Sequence, residues 1–265
     1  TRLTALKIGN MKACTLTIPT SVIELELENE SKGLVVSGTE NLTLLRVRDE
    51  SVRTTSCPRL QMLGWCGERL SEEVLPFATS DMTTLSEMVF ETETIDPAFR
   101  FPTWLTALRL MVWDEPVDLA RITPLTRLQL LAINPGKKKN PLDVSGLTTL
   151  TSFITTSAVV TRIPTTLVEC CVLLRSDFDF SSFTRLTDLR VGLGADIRVT
   201  FPTGLKSLGV LWGSLDDTNV ADVALESFFS MRERRFTREE LEQLPKTLKK
   251  VSLRLGPGLR DQLRE

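Results

Sequence analysis

Apolar residues recur along the whole chain in one frame, L-x-x-L-x-L, with other hydrophobic residues standing in for leucine. The frame reads Leu3/Leu6/Ile8, Val22/Leu25/Leu27, Leu42/Leu45/Val47, Leu60/Leu63/Trp65, Leu85/Met88/Phe90, Leu105/Leu108/Leu110 and Leu125/Leu128/Leu130. It continues as Leu150/Phe153/Thr155, Leu167/Cys170/Val172, Leu186/Leu189/Val191, Leu205/Leu208/Val210, Leu225/Phe228/Ser230 and Leu248/Val251/Leu253. Thirteen copies in 265 residues leave about 20 residues for each. A unit that short cannot bury its own apolar face, so each copy must stack on the next and the chain must fold as a solenoid. The L-x-L that closes each frame has the period of a strand, with its leucines on one face.

Two kinds of lead-in largely alternate. One sets proline shortly before the frame, in Ile18-Pro19-Thr20, Phe101-Pro102-Thr103, Ile163-Pro164-Thr165, Phe201-Pro202-Thr203 and Leu244-Pro245-Lys246, with a shortened copy at Cys57-Pro58. Proline fixes φ and donates no hydrogen bond, which suits a bend before a strand and not the strand itself. The other lead-in extends the apolar spacing backwards by threes, as in Leu119-Ile122-Leu125-Leu128, Val144-Leu147-Leu150-Phe153 and Phe180-Phe183-Leu186-Leu189. Short alternating patches precede the lead-ins, such as Leu16-Thr17-Ile18, Leu34-Val35-Val36, Leu142-Asp143-Val144, Phe178-Asp179-Phe180 and Ile197-Arg198-Val199. They predict a second, short strand on the far side of each coil.

This pattern resembles the leucine-rich repeat family over essentially the whole chain. The prolyl copies are similar to the L-P-x-x-L-x-x-L-x-L repeats of bacterial effector proteins and to the Thr-rich prolyl repeats of protist leucine-rich proteins. The resemblance implies an α/β-type solenoid that is mostly β. It would be a right-handed horseshoe of about 13 repeats, with a parallel sheet on the concave face, short convex strands and few helices. It also implies a single leucine-rich repeat domain over residues 1–265. One departure stands out, since the family's laddering asparagine is replaced by Met11, Glu30, Glu50, Trp113 and Ile133. Asn10, Asn29 and Asp49, one residue earlier, can serve instead in the first coils. Later that earlier position holds Val112, Ala132, Leu174, Leu193 and Trp212, where the strand is expected to continue and bury a third apolar row.

Longer intervals mark decorations: a helical turn over Leu70–Pro76, a basic turn-rich loop over residues 134–141, and a helix over 238–244 behind the capping box Thr237-Arg238-Glu239-Glu240. The chain opens on Thr1 within the apolar pattern, which reads as a processed or truncated product whose open first coil has lost a neighbour or is covered by a partner.

If the frame leucines point into each coil, the residues between and just after them point out. Near the start this outward surface carries Glu24, Glu26 and Glu28 beside Lys7 on one neighbour and Arg46 and Arg48 on the next. Such a pattern is either a salt-bridge lattice or a charged docking patch. Further along, Arg109 and Arg190 share the surface with Met111, Leu131, Leu173, Leu211, Phe229 and Met231. Apolar side chains where a lone solenoid is wet mark a binding surface, unless the register is shifted or a terminal segment covers them.

Composition removes most chemistry. The chain has no histidine, so it offers no Ser-His or Cys-His nucleophile, imidazole base or histidine-ligated metal. Its five cysteines are scattered, lack a C-x-x-C pair, and read as reduced core residues, a mild pointer to the cytoplasm. Asp216, Asp217 and Asp222 lack a calcium-loop spacing, and no phosphate-cradling glycine motif is present. The formal charge of −2, and a cluster of Arg232, Arg234, Arg235 and Arg238 broken by glutamates, argue against nucleic acid. No apolar run is long enough to span a bilayer. Sequons stand at Asn29 and Asn41. The reading is a non-catalytic protein–protein interaction module with no cofactor, no small-molecule substrate and no membrane insertion, binding a protein through its concave face. Two alternatives are the substrate-recognition part of a larger enzyme, such as a ubiquitin ligase effector, and a structural subunit of a large assembly.

Overall fold

The structure, a computed structural model, describes residues 3–9, 14–28, 34–48, 52–54, 56–71, 83–114, 117–135, 141–194, 197–213, 215, 218–230 and 244–253. The chain divides into two compact units, Thr1–Asn140 and Pro141–Glu265. In the first lie β1 (Ala5–Gly9), β2 (Thr15–Thr17), β3 (Glu24–Glu28), β4 (Val35–Ser37), β5 (Leu44–Val47), β6 (Arg53–Thr54), β7 (Met62–Leu70), β8 (Glu87–Ile95), β9 (Ala107–Val112) and β10 (Leu130–Pro135). The strands of successive frames, β1-β3-β5-β7-β8-β9-β10, pair side by side and all run parallel. The alternating patches form a separate parallel sheet, β2-β4-β6.

Register follows the frame. Leu25, Leu45, Leu63, Met88 and Leu108 align strand to strand, and so do Leu27, Val47, Trp65, Phe90 and Leu110; both columns are buried. A slip of one residue would turn both columns out to water, and each buried side chain contributes about 1.5–3 kcal/mol, so the register is strongly determined. From β3 on, the strands of this long sheet begin with a shared hydrogen bond, in which two successive amides donate to one carbonyl of the preceding coil. Ile23 and Glu24 donate to Thr4 O, Thr43 and Leu44 to Ile23 O, and Ser86 and Glu87 to Gln61 O. Threonine and serine hydroxyls add to these steps, with Thr43 donating to Ile23 O at 3.2 Å, Thr84 to Leu60 O at 2.8 Å and Thr106 to Ser86 O at 3.1 Å. The ladder candidates Asn10, Asn29 and Asp49 lie outside the described residues, as do most of the turn expected over Leu70–Pro76, the loop from 136 to 140 and the sequon at Asn29.

The lead-ins differ as their sequences demand. In the prolyl copies the carbonyl three residues before the frame closes one turn: Val22 N donates to Pro19 O at 2.9 Å and Leu105 N to Pro102 O at 3.2 Å. In the spaced-by-three copies consecutive turns of this kind follow one another. Ile122 N donates to Leu119 O, Leu125 N to Ile122 O and Leu128 N to Leu125 O, behind a 3-10 turn (Leu119–Arg121) capped by Asp118. Three residues per turn put every third side chain on the core side. This run extends one step further than the frame Leu125/Leu128/Leu130 allows, and it corrects that frame. Leu131 aligns with Leu108 and Ile133 with Leu110, so the strand's frame is Leu128/Leu131/Ile133.

The second unit holds β11 (Leu142–Asp143), β12 (Ser152–Arg162), β13 (Glu169–Leu174), β14 (Phe178–Asp179), β15 (Asp188–Leu193), β16 (Val199–Thr200), β17 (Ser207–Trp212), β18 (Ser227–Ser230) and β19 (Lys250–Leu253). Here β12-β13-β15-β17-β18-β19 form the long parallel sheet, β14 pairs with β16, and β11 pairs with β12. Phe153, Cys170, Leu189, Leu208 and Phe228 align as one buried column. In this unit Asn219 bonds to the backbone of the preceding coil in the manner of the family's asparagine, accepting from Phe201 N at 2.7 Å and donating to Phe201 O at 3.2 Å. The third apolar row holds at Val112, Leu174 and Leu193, all buried. It fails at Ala132, which the corrected frame turns outward, and at Trp212, which is 42% exposed. Residues 231–243, with Met231, the arginine cluster and nearly all of the helix expected over 238–244, lie outside the described residues.

Candidate protein-binding surface

The outward face of the first unit's long sheet is charged in stripes, one sign to a strand. Glu24, Glu26 and Glu28 stand on β3, with Lys7 on β1 and Arg46 on β5 in register beside them. Lys7 Nζ reaches Glu28 Oε1 at 2.8 Å and Glu26 Oε1 at 3.3 Å, and Arg48 approaches Glu28 Oε1 at 3.5 Å. The hydrogen bond from Lys7 holds the Glu28 carboxyl below its usual range and raises the lysine in turn. A second pair, Arg109 Nε to Glu87 Oε1 at 3.2 Å, joins β9 to β8. Met111 follows Arg109 outward on the same strand and is half-buried. Leu131 does not share this surface: it is 0% exposed, and the outward positions of β10 are Leu130, Ala132 and Asn134.

The second unit's outward face sets two aromatic side chains, Trp212 and Phe229, among charged residues of both signs such as Arg190 and Asp188. Two of its columns contain a glycine, and in each a large side chain from the next strand lies across it. A Cβ on Gly209 would stand 2.1 Å from Phe229 Cζ, and one on Gly192 would stand 2.4 Å from Trp212 Cε2. Phe229 thus crosses Gly209 toward Arg190, whose guanidinium carbon sits 5.5 Å from the ring centre; Arg190 Nε also lies 3.5 Å from Asp188 Oδ1. The indole of Trp212 crosses Gly192 toward Leu173, the next residue in register. Leu173 points outward yet is only 8% exposed, with Val159 in register on one side and Gly192 on the other. The sequence assigns Leu211 to this column, but a register shift after Val191 pairs Gly192 with Trp212 instead and leaves Leu211 half-buried in the bulge. Gly213 follows at φ 100°, a left-handed conformation that lets the chain turn away immediately past the tryptophan. Trp212 is the residue that sequence reasoning missed; the signal available was the pair of glycines one repeat before Trp212 and Phe229.

The thiols are free, and Cys57 and Cys170 are buried. Burial pushes Cys57, Cys66, Cys170 and Cys171 above the ordinary thiol range, the opposite of what a nucleophile requires. Among the described residues no group of three or more His, Cys, Asp or Glu side chains could hold a metal ion. No helix among them is long and apolar enough to cross a membrane.

No protein-family model matches the sequence, and no curated protein matches it. Among solved structures, the chain is similar to an internalin, inlF, from Listeria monocytogenes, with a TM-score of 0.52 and 15% identity. The match covers 88% of this chain and 80% of that one. The fold is a leucine-rich-repeat solenoid. The described residues are mostly β with almost no helix, and within each unit the frames supply the strands of its long parallel sheet.

Proposed function

We propose that this leucine-rich-repeat chain is a non-catalytic module that binds a protein partner through the outward face of its long sheets, the concave face of the leucine-rich family. The observation that carries the reading is the pair of aromatic side chains laid flat across Gly192 and Gly209. Tryptophan and arginine are the residues that most often dominate the energy of protein interfaces. Here Trp212 and Arg190 are both held in place before any partner arrives, which lowers the ordering cost of association. The first unit's charge stripes fit a role in orientation and selectivity more than in raw affinity. Within this reading Glu24, Glu26, Glu28, Arg46, Arg48, Arg109, Met111, Arg190 and Phe229 line the binding face, with Trp212 in place of Leu211.

Affinity capture with mass spectrometry, comparing the native chain with Trp212→Glu and Phe229→Glu, tests this. Both substitutions are on half-covered or exposed outward positions, so the fold is retained and is checked by circular dichroism. Native-specific partners lost from both variants support the reading; identical partner lists from all three proteins reject it.

A further inference from the structure

Strand β7 leaves a gap in the first unit's outward face. It offers Gly64 and Cys66 between Arg46 and Arg48 on one neighbour and Val89 and Glu91 on the other, and the result is a depression of about 460 Å³. The two walls carry opposite charge, with Arg46 and Arg48 on the β5 side and Glu87 and Glu91 on β8. Most of this charge is neutralised within the molecule, since Arg48 meets Glu28 and Arg109 meets Glu87. Arg46 and Glu91 are left over, and neither forms an ion pair among the described residues. Arg46 stands in register beside Glu26, yet its stem leans the other way, with Cγ 3.0 Å from where a Cβ on Gly64 would be. Glu91 has only Cys66 and Met111 in register on either side.

We propose that this depression seats an extended segment of a protein partner that carries one carboxylate and one cationic side chain two residues apart, the carboxylate on Arg46 and the cation on Glu91. The proposal rests on the protein-binding reading above. The walls are two strand spacings apart, about 10 Å, and because Arg46 is in register with Gly64 and Glu91 with Cys66, the two charges are also offset by two residues along the strands, about 7 Å. Side chains two residues apart on an extended segment laid along β7 share a face at about 7 Å, which matches that offset, and the lean of Arg46 across Gly64 brings its charge toward the segment. A segment with carboxylates alone would meet Glu87 and Glu91, and one with cations alone would meet Arg46 and Arg48, so the depression selects for mixed charge.

The full chain, labelled with nitrogen-15, is titrated with four capped synthetic peptides built on Asp-Gly-Lys, Asp-Gly-Asp, Lys-Gly-Lys and Asn-Gly-Gln. The mixed peptide shifts the Gly64 and Cys66 amide signals and the other three do not. Arg46→Glu or Glu91→Arg weakens that binding about fivefold, the loss and reversal of one exposed ion pair. The double reversal restores it to within about twofold, because the segment can thread in the opposite sense. Arg46→Gln, which keeps the stem over Gly64, still weakens binding and guards against misfolding of the charge reversals. A mixed peptide no better than the neutral one, single reversals without effect, or no rescue in the double variant each overturns the proposal. Partner loss with Trp212→Glu but no preference for the mixed peptide removes this inference and leaves the protein-binding reading intact. Partner lists unchanged by Trp212→Glu, beside a clear mixed-peptide preference, do the reverse.

Discussion

Gly192→Ala tests how the second unit's outward face is assembled. The new methyl group would lie 2.4 Å from Trp212 Cε2, 2.5 Å from Cζ2 and 2.9 Å from Nε1, far inside van der Waals contact, so the indole must swing away. The contacts the indole makes over Gly192 are lost, since it cannot share that space with the methyl group. Fully burying a large apolar side chain is worth about 1.5–3 kcal/mol, so freeing the partly covered indole from the sheet costs about 1–2 kcal/mol. Against this, alanine in a strand has less unfolded-state freedom than glycine, a gain of about 0.5–1 kcal/mol. The net effect is a destabilisation of about 1 kcal/mol, or about 2–4 °C in Tm for a chain of this size. In a Trp212→Ala background the clash is gone and only the chain-entropy effect remains, so the same substitution raises Tm. Thermal unfolding of the four proteins measures this sign reversal, and tryptophan emission of Gly192→Ala shifts to the red as the indole leaves the sheet. A Gly192→Ala effect of equal sign and size in both backgrounds would refute the placement of Trp212 over Gly192.

Leu131→Ala should cost about 2–5 kcal/mol by denaturant unfolding and Leu130→Ala less than about 1 kcal/mol, the reverse of what the uncorrected frame requires. Asp96, Asp143 and Asp179 accept hydrogen bonds from Ala98 N, Ser145 and Ser181 that hold their carboxyls below the ordinary 3.8. A carboxyl depressed in the folded state stabilises above its unfolded pKa, and the contribution fades as pH falls through the folded value. Tm should therefore be steady at neutral pH and drop below about pH 4, with a shallower drop in the Asp96→Asn/Asp143→Asn/Asp179→Asn variant. A disulfide reagent at about pH 8 should titrate half-buried Cys14 in the folded protein but Cys57 and Cys170 only after denaturation, a difference read by counting released thiolate with and without denaturant.

How legible the surface was depended on what each position needed. The inward columns were readable because burial forces apolar residues at a fixed spacing; Leu25, Leu45 and Leu63 could be aligned without any coordinates. The β10 frame was misread because Leu125, Leu128, Leu130, Leu131 and Ile133 satisfy both a turn spacing of three and a strand spacing of two. Which of them enters the strand is decided by the run of turn hydrogen bonds from Leu119 to Leu128, and a hydrophobic pattern cannot display those. The displacement of Leu211 by Trp212 was equally hidden, since a one-residue shift in pairing appears only when β15 and β17 are laid side by side.

The sequence by itself determined the repeat, the parallel stacking of its strands, the short second strands and the absence of imidazole chemistry. Each of these follows from residue type at a fixed interval, and water enforces them one coil at a time. Only the tertiary structure decided which outward side chains are free. Arg46 leans over Gly64 instead of pairing with Glu26, Phe229 reaches Arg190 across Gly209, and Trp212 lies across Gly192. All three depend on a gap left by a glycine on one strand and a long side chain from its neighbour, residues about a repeat apart in the chain that meet only when the coils stack.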